Sequence, residues 1–290
     1  MRFSEKIEVI KNEPLALHTT FRIGGPADYF AIPKNTEEIM ELIGLCKKND
    51  IPYYVIGNGS NILVSDKGYR GVIIQIATGM NDIKVEDTRI YAQAGAMLAK
   101  VSNMAYHHGL TGMEFASGIP GTMGGAIVMN AGAYGGEMKD IVEYVDVLEN
   151  GEITRYRCHE MEFSYRHSII DEKKIVLGVG LLLHEGDKNA ICDRMQELNQ
   201  ARKEKQPLEY PSAGSTFKRP EGYFAAKLID ECGLRGYRVG GAMVSQKHCG
   251  FVINYDHASC CDVLQLMEDV RNKVLETYGV SLQPEVRILQ

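Results

Sequence analysis

A glycine-rich stretch at residues 118–136 constrains this chain more than any other segment. Seven of the nineteen residues in GIPGTMGGAIVMNAGAYGG are glycine, and none is lysine or arginine. Glycine reaches positive φ without steric cost, and successive backbone N–H groups in such a loop can form a concave site for a phosphate. A phosphate here would therefore be bound by backbone dipoles. The alternative is two tight turns around the apolar run 126–129, and the P-loop and Rossmann spacings that would decide the question are absent.

Length and composition indicate a multi-domain globular chain. Its 290 residues exceed one ordinary core and predict two or three domains. The net charge of −6, from 32 basic and 38 acidic residues, argues against a nucleic-acid partner. The segment MRFSEKIEVI holds two glutamates and no long apolar stretch, so we expect neither a signal peptide nor membrane insertion, and a cytoplasmic location.

The cysteines and histidines do not form a recognisable metal or disulfide pattern. An odd number of cysteines without a secretory signal predicts reduced thiols. The pairs Cys158-His159 and His107-His108 lack the spacing of a four-ligand site, so we expect no metal. The seven cysteines are Cys46, Cys158, Cys192, Cys232, Cys249, Cys260 and Cys261.

The hydrophobic periodicity predicts an α+β protein. We expect helices at 36–49, 97–107, 189–205, 223–231 and 259–278, and strands at 53–56, 62–64, 72–76, 175–183, 251–254 and 282–289. Hairpins are expected at 83–94 and 141–156, the second with an Asn150-Gly151 turn. Asn35 or Thr36 can cap the first helix, and Ser259 with Asp262 the last. A change of composition at 206–211 predicts a domain boundary.

Eight short motifs occur in the order typical of one family. Any one of them is weak evidence, but together they make nearly the whole chain resemble the UDP-N-acetylenolpyruvoylglucosamine reductases of bacterial peptidoglycan synthesis. The motifs are TTFRIGG (19–25), GNGSNILV (57–64), GIPGTMGG (118–125), NAGA (130–133), YR (165–166), AGSTF (213–217), GG (240–241) and PEVR (284–287).

The resemblance implies the vanillyl-alcohol-oxidase or PCMH-type FAD-binding fold, with two α+β subdomains around FAD and a third domain for substrate. The expected ranges are 1–78 and 79–205 for the FAD-binding subdomains and 206–281 for the substrate-binding domain, with the C-terminal strand 282–290 returning to the second subdomain. Residues 57–66 contain no histidine or cysteine for covalent attachment, so we expect dissociable FAD. The implied FAD-binding residues are Gly57, Asn58, Gly59, Ser60, Asn61, Gly118, Pro120, Gly121, Thr122, Gly124, Gly125, Ala131 and Gly132.

The family reaction implies three catalytic residues. NADPH reduces FAD, and hydride then adds to the enolpyruvyl double bond, which pushes negative charge toward the adjacent carboxylate. Ser215 would donate the proton to carbon, Arg166 would bind and polarise the carboxylate, and Glu285 would act with Arg166 on the developing enolate. On local sequence alone, each of the three also fits a purely structural role. Ser215 could be a serine in a turn, Arg166 part of a surface ion pair, and Glu285 a carboxylate at a strand end paired with Arg287.

Four further residues match family positions near the UDP moiety of the substrate. Arg219 and Arg235 suit two phosphate charges. Tyr165 and His248 are equally explained as a buried aromatic and a hydrogen-bonded histidine. Lys218 and Lys227 are close alternatives.

The short segment between Arg166 and the helix predicted at 189–205 makes the chain resemble the shorter type of this family, which lacks an extra tyrosine-bearing loop.

Two other functions stay open: an FAD-dependent oxidase of a small hydroxy acid or sugar on the same fold, and a non-catalytic nucleotide-binding module. An oxidase usually needs a base for the hydroxyl proton, whereas the matched trio suits protonation and carboxylate stabilisation.

Overall fold

A computed structural model describes residues 7–290. The first six residues, within the segment for which we expect no signal peptide or membrane insertion, lie outside this description. The chain divides into two compact units. Of the described residues, unit 1 contains 7–10, 29–58 and 71–202, and unit 2 contains 11–28, 59–70 and 203–290. The predicted composition boundary at 206–211 lies close to the last change of unit, and the finer division into subdomains at 1–78 and 79–205 remains a prediction.

The described residues form both helices and strands. The helices are α1 Thr36–Lys48, α2 Leu98–His107, α3 Met123–Val128, α4 Lys188–Lys205, α5 Ala225–Glu231 and α6 Cys260–Tyr278. The strands are β1 Glu8–Pro14, β2 Pro26–Ile32, β3 Tyr53–Ile56, β4 Ile62–Val64, β5 Tyr69–Gln75, β6 Ile83–Glu86, β7 Arg89–Gln93, β8 Leu110–Thr111, β9 Gly132–Ala133, β10 Gly136–Glu137, β11 Val142–Glu149, β12 Glu152–Arg157, β13 Lys174–Leu182, β14 His184–Glu185, β15 Arg238–Val239, β16 Ala242–Val244, β17 Val252–Asn254 and β18 Arg287–Leu289. Among residues 7–290, no helix has both the length and the apolar character needed to cross a bilayer.

A five-stranded antiparallel sheet organises unit 1, with strand order β12-β11-β13-β7-β6. The two predicted hairpins supply the pairs β6–β7 and β11–β12. Asn150 and Gly151 have φ of 53° and 86°, the positive values that a type I′ turn requires. β13 is buried at every position except its two ends, as expected for a central strand covered on both faces.

Two glycines on β13 make room for tyrosine rings from the neighbouring strands. A Cβ on Gly178 would lie 2.2 Å from Oη of Tyr91, and one on Gly180 would lie 2.3 Å from Cε1 of Tyr144. These distances are far below van der Waals contact, so the rings can cover the strand only because both positions lack a side chain.

We expect Gly180→Ala to lower the free energy of unfolding by about 1–3 kcal/mol, because the added methyl group must displace the Tyr144 ring. Gly44→Ala is the matched control. Gly44 is exposed on α1 with no atom within 4 Å of its added Cβ, so this substitution should stabilise by about 0.5–1 kcal/mol. Urea unfolding followed by circular dichroism measures both. Equal stability of Gly180→Ala and wild type would contradict the packing argument.

A second sheet has the order β1-β2-β5-β3, with β3 parallel to β5. In chain order α1 lies between β2 and β3 of this sheet, and it begins where the sequence predicted. Asn35 is the N-cap, and its Oδ1 accepts the N–H of Glu38 at 2.9 Å. Of the two cap residues considered, the structure selects Asn35.

Unit 2 contains the antiparallel sheet β15-β16-β17 together with α5 and α6. The predicted capping box of α6 is confirmed, with Ser259 as N-cap and Asp262 at the third position. The carboxylate of Asp66 also accepts the N–H groups of Cys260 and Cys261, at 2.7 and 3.1 Å. A buried apolar face of α6, formed by Val263, Leu266, Met267, Val270 and Val274, packs into the core of this unit.

The C-terminal strand differs from the expectation that 282–290 returns to residues 79–205. Only Arg287–Leu289 form a strand, and it pairs in parallel with β4 in unit 2, with Arg287 opposite Ile62. The N–H of Ser65 donates to the carbonyl of Leu289 at 2.8 Å and extends the pairing. The correction has a simple cause: a short apolar strand does not encode which open strand edge it joins.

Candidate active site

Two glycine turns lie side by side in unit 1. The side-chain Nδ2 of Asn58 donates to the carbonyl of Pro120 at 2.8 Å. A Cβ on Gly57 would lie 2.2 Å from Oγ1 of Thr122, so glycine is needed for this approach. The structure thus brings together Gly57, Asn58 and the 118–125 turn, which the sequence predicted as two parts of one FAD-binding site.

The second turn presents unused backbone donors. Thr122, only 1% exposed, is the N-cap of α3, and its Oγ1 accepts the N–H of Gly125 at 3.4 Å. Within the described chain, the N–H groups of Gly121 and Thr122 donate to no protein acceptor. Donors of this kind fit a diphosphate bound by backbone dipoles. The apolar residues of 126–129 belong mostly to α3, and turn residues lie on both sides of this helix, so the alternative of two tight turns around the apolar run stays open beside the phosphate site.

The structure adds a cation that the sequence analysis missed. The Arg202 side chain, from the end of α4, packs against Gly118: its Cδ and Nη1 lie 3.0 and 3.6 Å from the place of a Gly118 Cβ. Burial lowers the pKa of this guanidinium, and no carboxylate in residues 7–290 pairs with it. Arg202 is half-buried, and a cation partly withdrawn from water without a counter-charge is costly, so this position favours a bound anion beside Gly118. The segment 118–136 gave no sign of it because Arg202 is remote in sequence.

The remaining half of the first turn lies in unit 2. Gly59 has φ of 60°, and a Cβ there would lie 2.1 Å from the carbonyl oxygen of His18. The N–H of Thr20 donates to the carbonyl of Gly59 at 3.2 Å. Ser60 and Asn61 follow, and the side chain of Asn61 contacts the PEVR motif near the C-terminus. The motifs at 19–25 and 57–64 are therefore packed together.

Ser215 and Glu285 lie on two paired segments of unit 2. The N–H of Glu285 donates to the carbonyl of Thr216 at 2.8 Å, and Phe217 forms an antiparallel bridge with Pro284. Nδ2 of Asn61 donates to the carbonyl of Glu285 at 3.1 Å. Within unit 2, these bonds therefore make neighbours of Asn61, the segment that carries Ser215 and the segment that carries Glu285.

Arg166 lies in a two-residue turn of unit 1. Ser164 and His167 exchange backbone hydrogen bonds of 3.2 Å in both directions, which places Tyr165 and Arg166 at the tip. Arg166 has φ of 56°, an unusual value for a residue other than glycine. Its Nη2 donates to the carbonyl of Gly132 at 3.3 Å, and its guanidinium lies 5.2 Å from the ring centroid of Tyr165, which is half exposed. Arg166 thus reaches the segment of the predicted FAD-binding residues Ala131 and Gly132.

The other predicted substrate-binding residues are in unit 2, and each has local contacts. The Arg219 guanidinium lies 4.0 Å from the ring centroid of Phe224. Arg235 forms a two-bond ion pair with Asp230 and also donates to the carbonyl of Gln246. Nδ1 of His248 accepts the N–H of Gly250 at 3.1 Å, and burial lowers the pKa of its imidazole. These residues remain predicted substrate ligands.

The charge of Arg235 is already compensated by Asp230, whose pKa is lowered mainly by the hydrogen bond from that guanidinium. Lys218 and Lys227 were the alternative candidates for binding the UDP phosphates. Lys227 forms an ion pair with Glu231 at 3.7 Å on α5.

The seven cysteines include buried thiols with raised pKa values. Within residues 7–290, no three His, Cys, Asp or Glu side chains are grouped to hold a metal ion, and the seven cysteines are free thiols. Burial raises the pKa of Cys46 to about 11 and that of Cys260 to about 12. Such thiols stay protonated at neutral pH and are poor nucleophiles.

Comparison with known proteins first defines the class. The sequence model of the FAD-binding domain family matches residues 27–157, the range that holds both glycine turns. The protein is therefore an FAD-dependent oxidoreductase with the PCMH-type α+β fold. The model for the UDP-N-acetylenolpyruvoylglucosamine reductase C-terminal domain matches residues 206–289, the range that holds Ser215 and Glu285.

Full-length relatives make the assignment specific. The chain is 55% identical over 280 residues to the UDP-N-acetylenolpyruvoylglucosamine reductase of Caldanaerobacter subterraneus subsp. tengcongensis, covering 96% of this chain and 92% of the relative. It is 53% identical over 284 residues to the enzyme of Lachnoclostridium phytofermentans, with the same coverage. The crystal structure of the reductase from Thermus caldophilus matches with a TM-score of 0.84 and 37% identity, over 98% of this chain and 99% of that chain. This chain belongs to the UDP-N-acetylenolpyruvoylglucosamine reductase family.

Gly57→Ala should weaken FAD binding by about tenfold, because the new methyl group forces Thr122 out of its capping position. Titration of the apoprotein with FAD, followed by quenching of flavin fluorescence, measures the affinity. Gly44→Ala serves as the control and should bind FAD as wild type does. An unchanged affinity in Gly57→Ala would show that the contact between the two turns does not shape the cofactor site.

Proposed function

We propose that this protein reduces the enolpyruvyl group of UDP-N-acetylglucosamine enolpyruvate to give UDP-N-acetylmuramate in peptidoglycan synthesis, with NADPH as the reductant. The observation that carries this proposal is the pairing of the AGSTF and PEVR segments, which makes Ser215 and Glu285 neighbours in unit 2. A family member with dissociable FAD, acting on a nucleotide-linked intermediate, would work in the cytoplasm without membrane insertion or nucleic acid.

Bound FAD would carry hydride from NADPH to the substrate double bond. The first turn, at 57–61, and the second, at 118–125, would hold its diphosphate through backbone N–H groups, with Ala131 and Gly132 completing the site. Arg202 adds a positive charge beside Gly118. No residue of the first turn or of the following Ile62–Asp66 segment can form a covalent flavin bond through histidine or cysteine.

Arg166 would hold the carboxylate of the enolpyruvyl group. A planar guanidinium binds a carboxylate through two hydrogen bonds and stabilises the negative charge that grows there as the double bond is reduced. Glu285 would share this developing enolate with Arg166. The turn that carries Arg166 places the guanidinium near Gly132, in the segment predicted to bind FAD.

Ser215 would donate the proton to the carbon next to the carboxylate. A serine hydroxyl is a weak acid, so the site must stabilise the alkoxide that remains. Substrate orientation would come from Tyr165, Arg219, Arg235 and His248. Because Arg235 is paired with Asp230, binding of the UDP phosphates by Arg235 would have to share or break this ion pair.

The proposal is tested by product analysis. The purified protein is incubated anaerobically with NADPH and UDP-N-acetylglucosamine enolpyruvate, and the products are separated and weighed by mass spectrometry. We expect NADPH oxidation only with the enolpyruvyl substrate and a product heavier by two hydrogens. NADPH oxidation that ignores this substrate but depends on oxygen would overturn the proposal and favour an oxidase.

A further inference from the structure

Asn130 is a buried polar residue that the mechanism above does not use. It follows α3, is 0% exposed and has φ of 40°. All of its amide is hydrogen-bonded: Nδ2 donates to Oε2 of Glu137 at 2.7 Å and to the carbonyl of Ser164 at 3.1 Å, and Oδ1 accepts the N–H of Lys139 at 2.9 Å. Two of these partners belong to its own loop, but Ser164 belongs to the turn that carries Arg166.

That turn needs external support. Arg166 occupies the left-handed region, which costs a residue with a Cβ about 1–2 kcal/mol compared with the right-handed region. Strained conformations of this kind persist only where the surroundings fix them, and they cluster at functional sites. The paired backbone bonds between Ser164 and His167 close the turn but do not place it relative to the rest of unit 1.

The 130–132 segment and the 164–167 turn are joined by two hydrogen bonds in opposite directions. The Asn130 amide donates to the carbonyl of Ser164, and the Arg166 guanidinium donates back to the carbonyl of Gly132. The first bond fixes the base of the turn, and the second fixes the far end of the arginine side chain. We infer that Asn130 is a positioning residue that sets the orientation in which Arg166 meets the carboxylate of the substrate.

This inference rests on the proposed role of Arg166 and predicts a selective defect. In the proposed function Arg166 binds the carboxylate of the enolpyruvyl substrate, and NADPH has no carboxylate for it to bind. Loss of the Asn130 amide should therefore slow return of flavin absorbance after substrate is added, and leave the bleaching by NADPH unchanged. Since a misplacement of about 1 Å can cost about 100-fold, we expect a decrease of about 10- to 100-fold in the second rate.

Asn130→Gly is the informative substitution, because glycine tolerates the positive φ and removes only the side chain. Anaerobic stopped-flow measures the two half-reactions separately. Ser102→Ala is the matched control: Ser102 is 2% exposed in unit 1, and its Oγ donates to the carbonyl of Met113 at 2.9 Å. The Ser102→Ala variant loses a buried hydrogen bond away from the Arg166 turn. It should leave the rates of both half-reactions unchanged.

A double-mutant cycle separates positioning from a general effect on stability. In an Arg166→Ala background there is no guanidinium for Asn130 to orient. Adding Asn130→Gly should therefore change the rate of flavin reoxidation by substrate less than about twofold. Equal decreases in both backgrounds, or equal slowing of both half-reactions in Asn130→Gly, would overturn the inference. Should Asn130→Gly fail to fold, the isosteric Asn130→Asp keeps the acceptor for Lys139 and loses the donors to Ser164 and to Glu137, and the same outcomes apply.

The two proposals fail in different ways. If wild-type flavin is not reoxidised by the enolpyruvyl substrate, the proposed function fails. If wild type is reoxidised and Asn130→Gly matches it, only the positioning inference fails.

Discussion

Ser215→Ala is expected to accept hydride from NADPH at the wild-type rate and to reduce the enolpyruvyl substrate about 100- to 10,000-fold more slowly, the usual contribution of a positioned general acid. Alanine keeps the fold of the AGSTF segment, because the pairing with Glu285 uses the backbone of Thr216. Only the proton donor is lost. Rapid-mixing spectroscopy of the flavin resolves the two steps.

The control for this experiment is Ser281→Ala, an exposed serine of the same unit outside the paired segments. It should match wild type in both steps. If Ser215→Ala reduced substrate at the wild-type rate, another group, or solvent, would supply the proton and the assignment of Ser215 would be wrong. If it also lost the reaction with NADPH, the residue would act on the cofactor site and not on the substrate.

Arg166→Ala should slow substrate reduction about 100- to 1,000-fold, the cost of removing a principal group that stabilises negative charge in a transition state. Arg166→Lys should recover little of this, because an ammonium group cannot bind a carboxylate through two parallel hydrogen bonds. The measurement is again the rate at which substrate reoxidises the reduced flavin, followed by the return of its visible absorbance.

Added guanidinium provides an independent check on the arginine. In Arg166→Ala it should restore part of the second rate in a saturable way, and it should leave Ser215→Ala unaffected. Wild-type rates in Arg166→Ala would contradict the assignment. A defect confined to protein stability, with both half-reactions unchanged, would make Arg166 a structural residue of the turn.

Local sequence signals predicted the helix starts and the tight hairpin of this fold. Ser259 caps its helix as expected, Asn35 is one of the two caps considered for the first helix, and Asn150-Gly151 adopts the positive φ of a type I′ turn. Each of these features depends on residues within about four positions of one another, a range over which side chains compete directly for backbone groups. Information of this kind is complete in a single sequence.

Glycine content hid the short helix α3. Gly124 and Gly125 each cost about 1 kcal/mol in a helix relative to alanine, so the stretch suggested turns. Tertiary bonds override that preference: the N–H groups of Met123 and Gly124 donate to the carbonyls of Ala96 and Ala94, both at 2.8 Å. These partners precede the stretch by more than twenty positions, and nothing in the stretch identifies them.

The candidate site also contains features that the sequence indicated and features that only the folded structure shows. Motifs and family resemblance indicated the two glycine turns and the trio of Arg166, Ser215 and Glu285. They did not indicate Arg202, and they included Asn130 in the NAGA motif without giving it a role; the contributions of both residues come from contacts with residues distant in the chain. The partner of the C-terminal strand was missed for the same reason. Contacts between remote segments require the folded structure.

The central claim is that hydride passes from NADPH through bound flavin to an enolpyruvyl substrate, and one anaerobic titration tests it most directly. The visible spectrum of the purified, FAD-loaded protein is recorded before and after NADPH, and again after UDP-N-acetylglucosamine enolpyruvate. We predict that flavin absorbance disappears with NADPH and returns in proportion to the substrate added. Absorbance that returns only when oxygen is admitted, or a protein that binds no flavin, would contradict the account.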